Sequence, residues 1–248
     1  MISRSGRGYA GYRRAGSPGR RVRRLFGFVV LVFVIHQFVT AFVVQSVVHQ
    51  TVVMVPTLRP GERFLAIPLA YGPRLRVFDA VLPGVRAPGR GELAVIRPGY
   101  VPRIGVAARL ADPFLRFFTL GHRRVDDGDA WDSSVQIKRI IGLPGDTIRI
   151  ERFIAYVRPA GAREFANEFA LSARGYDITT GERPTSWQPL DPFGASAESI
   201  TLGDDEYFVL SDDRGKGLDS RHWGTITTSD LVSRLWIRYW PLRRFGRP

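Results

Sequence analysis

Hydrophobic positions fall into two regimes along the chain. From Leu25 to Val44 they run almost unbroken as LFGFVVLVFVIHQFVTAFVV, twenty residues without a formal charge. At 1.5 Å rise per residue this predicts a helix of roughly 30 Å, enough to cross a hydrocarbon core. His36 and Gln37 interrupt the run near its middle. A buried helix of a soluble protein is the alternative. A cleaved secretory signal fits less well, because its apolar region is shorter, roughly 7 to 15 residues, and ends in a small-residue cleavage pattern.

Beyond Val44 the pattern changes to short apolar or β-branched runs: TVVMVP (51–56), RFLAIPL (63–69), ELAVIRP (92–98), VQIKRIIGL (135–143), DTIRIERFIAYV (146–157), EYFVLS (206–211) and RLWIRYW (234–240). Turn formers separate them, with PG at 60–61, GRG at 89–91, LPGD at 143–146 and DDRGKG at 212–217. Strand-length runs with such punctuation predict a mostly β domain. Two excursions break the rhythm. Residues 99–134 contain DPFLRFFTLG (112–121), read as a local helix or core packing, or as an amphipathic element at the membrane interface beside the anchor. Residues 158–205 are polar, carry Gly, Pro and Ala, and predict little regular structure. The organisation is a basic arm (1–24), a transmembrane helix (25–44) and a β domain (45–248).

Charge gives the helix a direction. Of a formal net charge of +13, eight units come from arginines within residues 1–24 (Arg4, Arg7, Arg13, Arg14, Arg20, Arg21, Arg23, Arg24), where there is no acid. A basic flank stays cytoplasmic, which places the N-terminus inside and the main domain outside. In a bacterium this means a single-pass protein of the inner membrane with a periplasmic or extracytoplasmic domain. Tyr9 and Tyr12 are the arm's aromatics, so the flank reads as topology and lipid bilayer contact, not as a nucleic-acid partner. There is no cysteine, which excludes disulfides and thiolate metal sites. His36, His49, His122 and His222 are scattered without ligand spacing, so no metal and no organic cofactor is expected. Oligomeric state has no signature in the sequence.

Two of the 36 basic residues are lysine, Lys138 and Lys216, and Lys138 sits inside the apolar run VQIKRIIGL. Arginine stays protonated, whereas a desolvated lysine can lose its proton and act as a base. Lys138 is therefore a candidate general base, against the alternative of a side chain that snorkels to the surface.

Four segments in order carry a resemblance. They are VMVPTLRPGERFLA (53–66), RGELAVIR (90–97), KRIIGLPGD (138–146) and SDDRGKGLDSRHWG (211–224), following an N-terminal span. Together they resemble signal peptidase I, the Ser/Lys-dyad leader peptidases, over about a third of the chain. The resemblance implies a β catalytic domain in the export pathway, with signal peptides of exported preproteins as partners. A neutral lysine would take the proton of a serine that attacks the carbonyl after a small residue. By position Lys138 matches the general base. Arg139, Asp212, Asp219, Ser220 and Arg221 match supporting residues, and Met54, Pro56, Thr57 and Leu58 match the nucleophile segment, with Met54 and Pro56 toward substrate.

The departures bear on mechanism. Val53 stands at the nucleophilic serine's position, and an isopropyl group cannot attack a carbonyl. Thr51 matches a serine whose hydroxyl helps form the oxyanion hole; in an extended strand it would share a face with residue 53, roughly 6 to 7 Å away. Gly217 replaces the serine that orients the lysine, which predicts a lost hydrogen bond to the base. Ser211 and Asp213 also depart from the pattern, without an interpretation. The readings that follow are a silent or impaired family member that still binds signal peptides, an active peptidase with Thr51 (or, more distantly, Ser46) as nucleophile, and a membrane-tethered scaffold whose arm binds cytoplasmic partners or anionic lipid.

Overall fold

The computed structural model describes residues 18–75, 80–99, 105–119, 135–181 and 197–248. Helix α1 spans Pro18–Phe38 and continues into a π-turn at Val39–Val43. The most apolar part of Gly19–Val43 has a mean hydropathy of 2.3 and none of it is buried, so the helix is long and apolar enough to cross a membrane. It begins upstream of Leu25 because Arg20, Arg21, Arg23 and Arg24 are good helix formers.

Strand β1, Gln45–Val48, follows almost at once and pairs with β2, Arg63–Ile67. The strand expected at 51–56 is not there. Residues 51–58 curl through successive turns closed by Val55 N–H to Val52 O (3.1 Å) and Leu58 N–H to Met54 O (2.8 Å). Pro56 cannot donate to a ladder, and the curl buries Met54 and Leu58 completely.

The remaining elements are β3 (Arg74–Leu75), β4 (Ala80–Val81), β5 (Leu93–Ile96), α2 (Val106–Phe118), β6 (Gln136–Gly142), β7 (Thr147–Glu151) and β8 (Ile154–Arg158). After them come β9 (Ala166–Asn167), α3 (Glu168–Leu171), β10 (Ala197–Thr201), β11 (Glu206–Leu210), α4 (Ser220–Trp223), β12 (Ile226–Thr227) and β13 (Leu231–Trp240). The protein is mostly β. A seven-stranded antiparallel sheet has the order β1-β2-β13-β5-β6-β11-β12, a four-stranded sheet the order β10-β7-β8-β9, and β3 and β4 form a ribbon.

Strand alternation sorts the central side chains to two faces. Leu93, Val95 and Ile137 join Met54, Leu58, Phe64 and Leu235 on one side; Ala94, Ile96 and Ile140 join Tyr71, Val209, Ile226 and Leu231 on the other. Both faces of β5 and β6 are therefore covered, which is why their sequences read as nearly unbroken apolar runs. A third cluster, with Ile141, Ile148, Ile150, Val157, Phe208 and Leu210, joins the smaller sheet to the larger.

The first excursion holds the local helix that the sequence offered, and the second carries more structure than the sequence suggests. Within 99–134, residues 106–118 form α2, which packs on α1 through a Phe33–Phe114 stack at 4.7 Å. Within 158–205, the expectation of low regularity is corrected by β9, α3 and β10. The cause is Glu168, which is buried and paired with Arg214 at 2.5 Å, while its carboxylate also accepts from Ala155 N–H at 2.8 Å. A buried ion pair of this kind must be closed on all sides, so the segment carrying Glu168 is held down. The arm residues 1–17, His122 and the 182–196 part of the second excursion lie outside the described residues.

Candidate functional site

Register fixes Lys138. It lies opposite Ala94 of β5, on the face of the sheet that holds the Ile96 and Ile140 cluster, and is 1% exposed. β11 pairs with β6 as far as Leu210 opposite Arg139, so the chain leaves the ladder at Ser211, beside the lysine. Nζ donates to Ser211 Oγ at 2.7 Å, and the Trp223 ring lies 5.6 Å away. Burial lowers the amine from its ordinary 10.5 to about 8; Asp219 and Asp212 oppose the fall, and Arg221 adds to it. At neutral pH roughly a tenth of such an amine is unprotonated, against less than a thousandth for an exposed lysine.

Ser211 resolves a difficulty left by Gly217. A Cβ built at residue 217 would lie 2.1 Å from both Cβ and Oγ of Ser211. Residue 211's side chain thus fills the space that a serine at 217 would occupy, and the two residues cannot both carry side chains there. The expectation that Gly217 costs the lysine its hydroxyl partner is corrected: the hydroxyl comes from residue 211 instead. Its oxygen is fully buried, so it holds the amine and is not open to a substrate carbonyl.

Two buried guanidinium–carboxylate pairs frame the lysine. Arg139 binds Asp212 with both ends of its fork, Nε to Oδ1 at 2.7 Å and Nη2 to Oδ2 at 2.6 Å. It also donates to Gly91 O and Thr57 Oγ1 and stacks 3.8 Å from the centre of the Tyr176 ring. A planar fork can satisfy all of these partners at once, and an ammonium cannot. Asp219 caps α4, accepts from Ser211 N–H at 2.9 Å and pairs with Arg221 at 2.8 Å. Burial alone would raise its pKa, but hydrogen bonding to His222 and the Arg221 charge hold it well below the usual carboxylate range. Ser220 Oγ accepts from Val209 N–H and pins α4 to β11. Arg221 donates to Arg214 O and Gly217 O, closing the 214–217 loop.

The turn 51–58 lies against this frame. Val53 packs at the edge of the Met54 and Leu58 cluster, and its carbonyl accepts from Asp213 N–H at 2.9 Å. Thr51 is half-buried, and among the described residues no hydrogen bond joins its hydroxyl to Lys138. Without a strand at 51–56, the alternation that would set residues 51 and 53 on one face does not apply. Met54 is fully buried, which takes it out of reach of a substrate; Pro56 is exposed. Ser46 lies in β1, bonded to Tyr239 at 2.8 Å, and is remote from the lysine in the sheet order.

Four contributors escaped sequence reasoning. His49 is buried, its Nε2 has no hydrogen-bond partner, and burial followed by the Lys138 charge lowers it to about 4. Tyr176 and Thr179 come from the second excursion; Thr179 pairs with Asp213, and its N–H donates to Asp212 O. Glu168 holds Arg214. An acid and an aromatic in an otherwise polar stretch were the available signals, and neither has a spacing rule.

The structure thus sets a β domain with a buried, hydroxyl-held lysine, framed by two carboxylate–arginine pairs, after a helix long and apolar enough to span a membrane. The sequence profile described as signal peptidase, peptidase S26, matches residues 22–240, and the chain belongs to that family. It is 26% identical over 193 residues to a probable signal peptidase I-2 of Synechocystis, covering 78% of this chain and 62% of that protein. It is 31% identical over 128 residues to signal peptidase I of Streptococcus pneumoniae, covering 44% and 63%. To signal peptidase IB of Staphylococcus aureus it is 30% identical over 109 residues, covering 44% and 55%. The matched stretches thus span between about half and two thirds of these relatives' lengths.

Proposed function

We propose that this chain is anchored by α1 with its β domain outside the cytoplasm, and that it binds the signal-peptide region of exported proteins. With Val53 at the nucleophile position, it cleaves them weakly or not at all. The observation that carries the reading is the buried Lys138, its amine lowered to about 8 and held within a hydrogen-bonded frame, with no accessible hydroxyl bonded to it among the described residues. The peptide would lie extended beside residues 136–138, where β11 has already left the ladder and one side of β6 is unpaired by strand. Arg139, Asp212, Asp219, Ser220 and Arg221 hold the base and the loop that carries Ser211.

Losing an attacking group costs on the order of a millionfold in other serine hydrolases. The test is cleavage of a preprotein ending in Ala-x-Ala by the unmodified protein in vesicles, beside Val53→Ser. No cleavage by the parent, retained binding and cleavage by Val53→Ser are expected. Cleavage by the parent at a rate equal to Val53→Ser would overturn the reading. The rival reading, Thr51 as substitute nucleophile with Lys138 as base, draws on the same poised lysine. It requires parent cleavage that disappears in both Lys138→Ala and Thr51→Val.

A further inference from the structure

Outside α1, helix α2 carries a row of exposed apolar side chains. Its inner contacts with α1 are Phe114 and Phe117 around Phe33, with Phe117 also 5.4 Å from the His36 ring. Gln37 Nε2 donates to Pro113 O at 3.2 Å. α2 therefore touches both polar positions that interrupt the apolar run of α1, leaving Gln37 half-buried and His36 still partly open. Polar groups inside an apolar span are found against protein partners, and here α2 supplies them. Its outer row is open: Leu110, Phe114 and Phe118 recur every fourth residue and are 48%, 53% and 69% exposed. Asp112, toward the opposite side of the helix, is buried.

We propose that α2 is a second membrane element, with Leu110, Phe114 and Phe118 packed against phospholipid acyl chains beside α1. The inference rests on α1 being a membrane anchor. The open row is continuous with that anchor's surface, because Phe114 both touches Phe33 and faces outward. Phe33 and Gln37 precede Val43 by ten and six residues, or roughly 15 and 9 Å at the helical rise. That depth lies within the half of a hydrocarbon core, about 15 Å thick, that the C-terminal end of α1 enters. Helices with one apolar and one polar face lie along the interface in this way. α2 would then tether the β domain at a second point and fix its orientation over the bilayer.

The absence of native cysteine makes the test direct. Leu110→Cys, Phe114→Cys and Phe118→Cys are each labelled with an environment-sensitive fluorophore in the full chain. They are reconstituted in phosphatidylcholine vesicles whose lipids carry bromine in mid-chain. Val30→Cys, on α1, reports the anchor, and Val85→Cys, 73% exposed in the β domain, reports water. The three α2 positions are expected to emit to the blue of Val85, to be quenched by brominated lipid as Val30 is, and to resist aqueous iodide. Among the described residues, Leu110 and Phe118 make no ring contact with α1, so they report even if the Phe114 substitution loosens the helix pair. Water-like emission at all three with Val30 quenched overturns the proposal and leaves the anchor standing. Val30 unquenched overturns both. Disulfide formation between Leu110→Cys copies would show a second chain on this face, which also overturns the lipid assignment.

Discussion

The exchange between residues 211 and 217 predicts an energetic coupling that can be measured without any catalysis. Gly217→Ser alone would force its Cβ to within 2.1 Å of the Ser211 side chain. Overpacking of this kind costs about 1 to 3 kcal/mol, and the fully buried Ser211 has no room to move aside. Ser211→Gly alone removes the Lys138 partner, about 1 kcal/mol for a buried hydrogen bond, and adds about 0.5 to 1 for glycine flexibility. The double variant Ser211→Gly/Gly217→Ser vacates the space and refills it from the other side, so most of both penalties should cancel. A coupling of about 1 to 3 kcal/mol favouring the double variant follows. Urea unfolding of the four proteins in detergent at one pH reads it directly. In a Val53→Ser background the same cycle should appear in cleavage rate: about five- to tenfold lost in Ser211→Gly and regained in the double, since 1.4 kcal/mol is a factor of ten. Additive stabilities would refute the shared-space argument. A double variant that folds well but stays as slow as Ser211→Gly would refute the role of the hydroxyl in holding the amine.

Other expectations follow from the buried bases. Cleavage by Val53→Ser should rise with pH through about 8, because only the neutral Lys138 accepts a proton, with roughly half of it neutral at that pH and nine-tenths one unit higher; a flat profile from pH 7 to 9 would remove Lys138 as base. Burying the ammonium costs about 3 kcal/mol at pH 7, the equivalent of lowering 10.5 to about 8. Lys138→Met should therefore stabilise the fold at pH 7 by about 2 kcal/mol, after about 1 for the partner lost by Ser211. The folded lysine sheds its proton first, so unfolding takes one up between pH 8 and 10.5, parent stability rises across that window, and the advantage of Lys138→Met should vanish above it. His49 titrates near 4 in the fold and near 6.5 unfolded, so the parent should lose about 2 kcal/mol between pH 7 and 5; His49→Phe should flatten that acid limb, and an unchanged limb in denaturant titrations would assign it elsewhere.

What the sequence made legible follows from which interactions have a local signature. The long apolar helix, the β class and the carboxylate–arginine frame were readable because an apolar run, strand punctuation and the two boxes at 138–146 and 211–224 are contiguous in the chain. The strand expected at 51–56 failed because the β-branched run ends in a proline, and burying Met54 and Leu58 rewards a curl over a ladder. The 158–205 excursion looked irregular because its fixed point, Glu168, is buried against a charge partner 46 residues away, Arg214. Ser211 and Gly217 were the sharpest miss. Each departs from the family pattern, and read singly one looked like a loss and the other had no meaning. Only their distance in space shows that they are one substitution made in two places.

That pairing changes the weight of Val53. With Gly217 counted as a loss, the proposed site had two defects and an idle lysine; with Ser211 supplying the hydroxyl, the described frame around Lys138 is intact and the proposed departure narrows to one side chain. The frame does not run through that side chain. Residue 53 enters the hydrogen-bonded set through its carbonyl, held by Asp213 N–H, while its isopropyl group only borders an apolar cluster. Val53→Ser removes a methyl-sized part of a half-buried side chain, a cost of about 1 kcal/mol that leaves every bond to Lys138, Arg139 and Asp219 untouched. Such a variant should fold, bind and titrate like the parent. If it does so and still cleaves nothing, the missing element is the path of the 51–58 turn, which would aim a new hydroxyl away from Nζ, and not the base. If it cleaves, one side chain separates a peptide-binding protein from a peptidase.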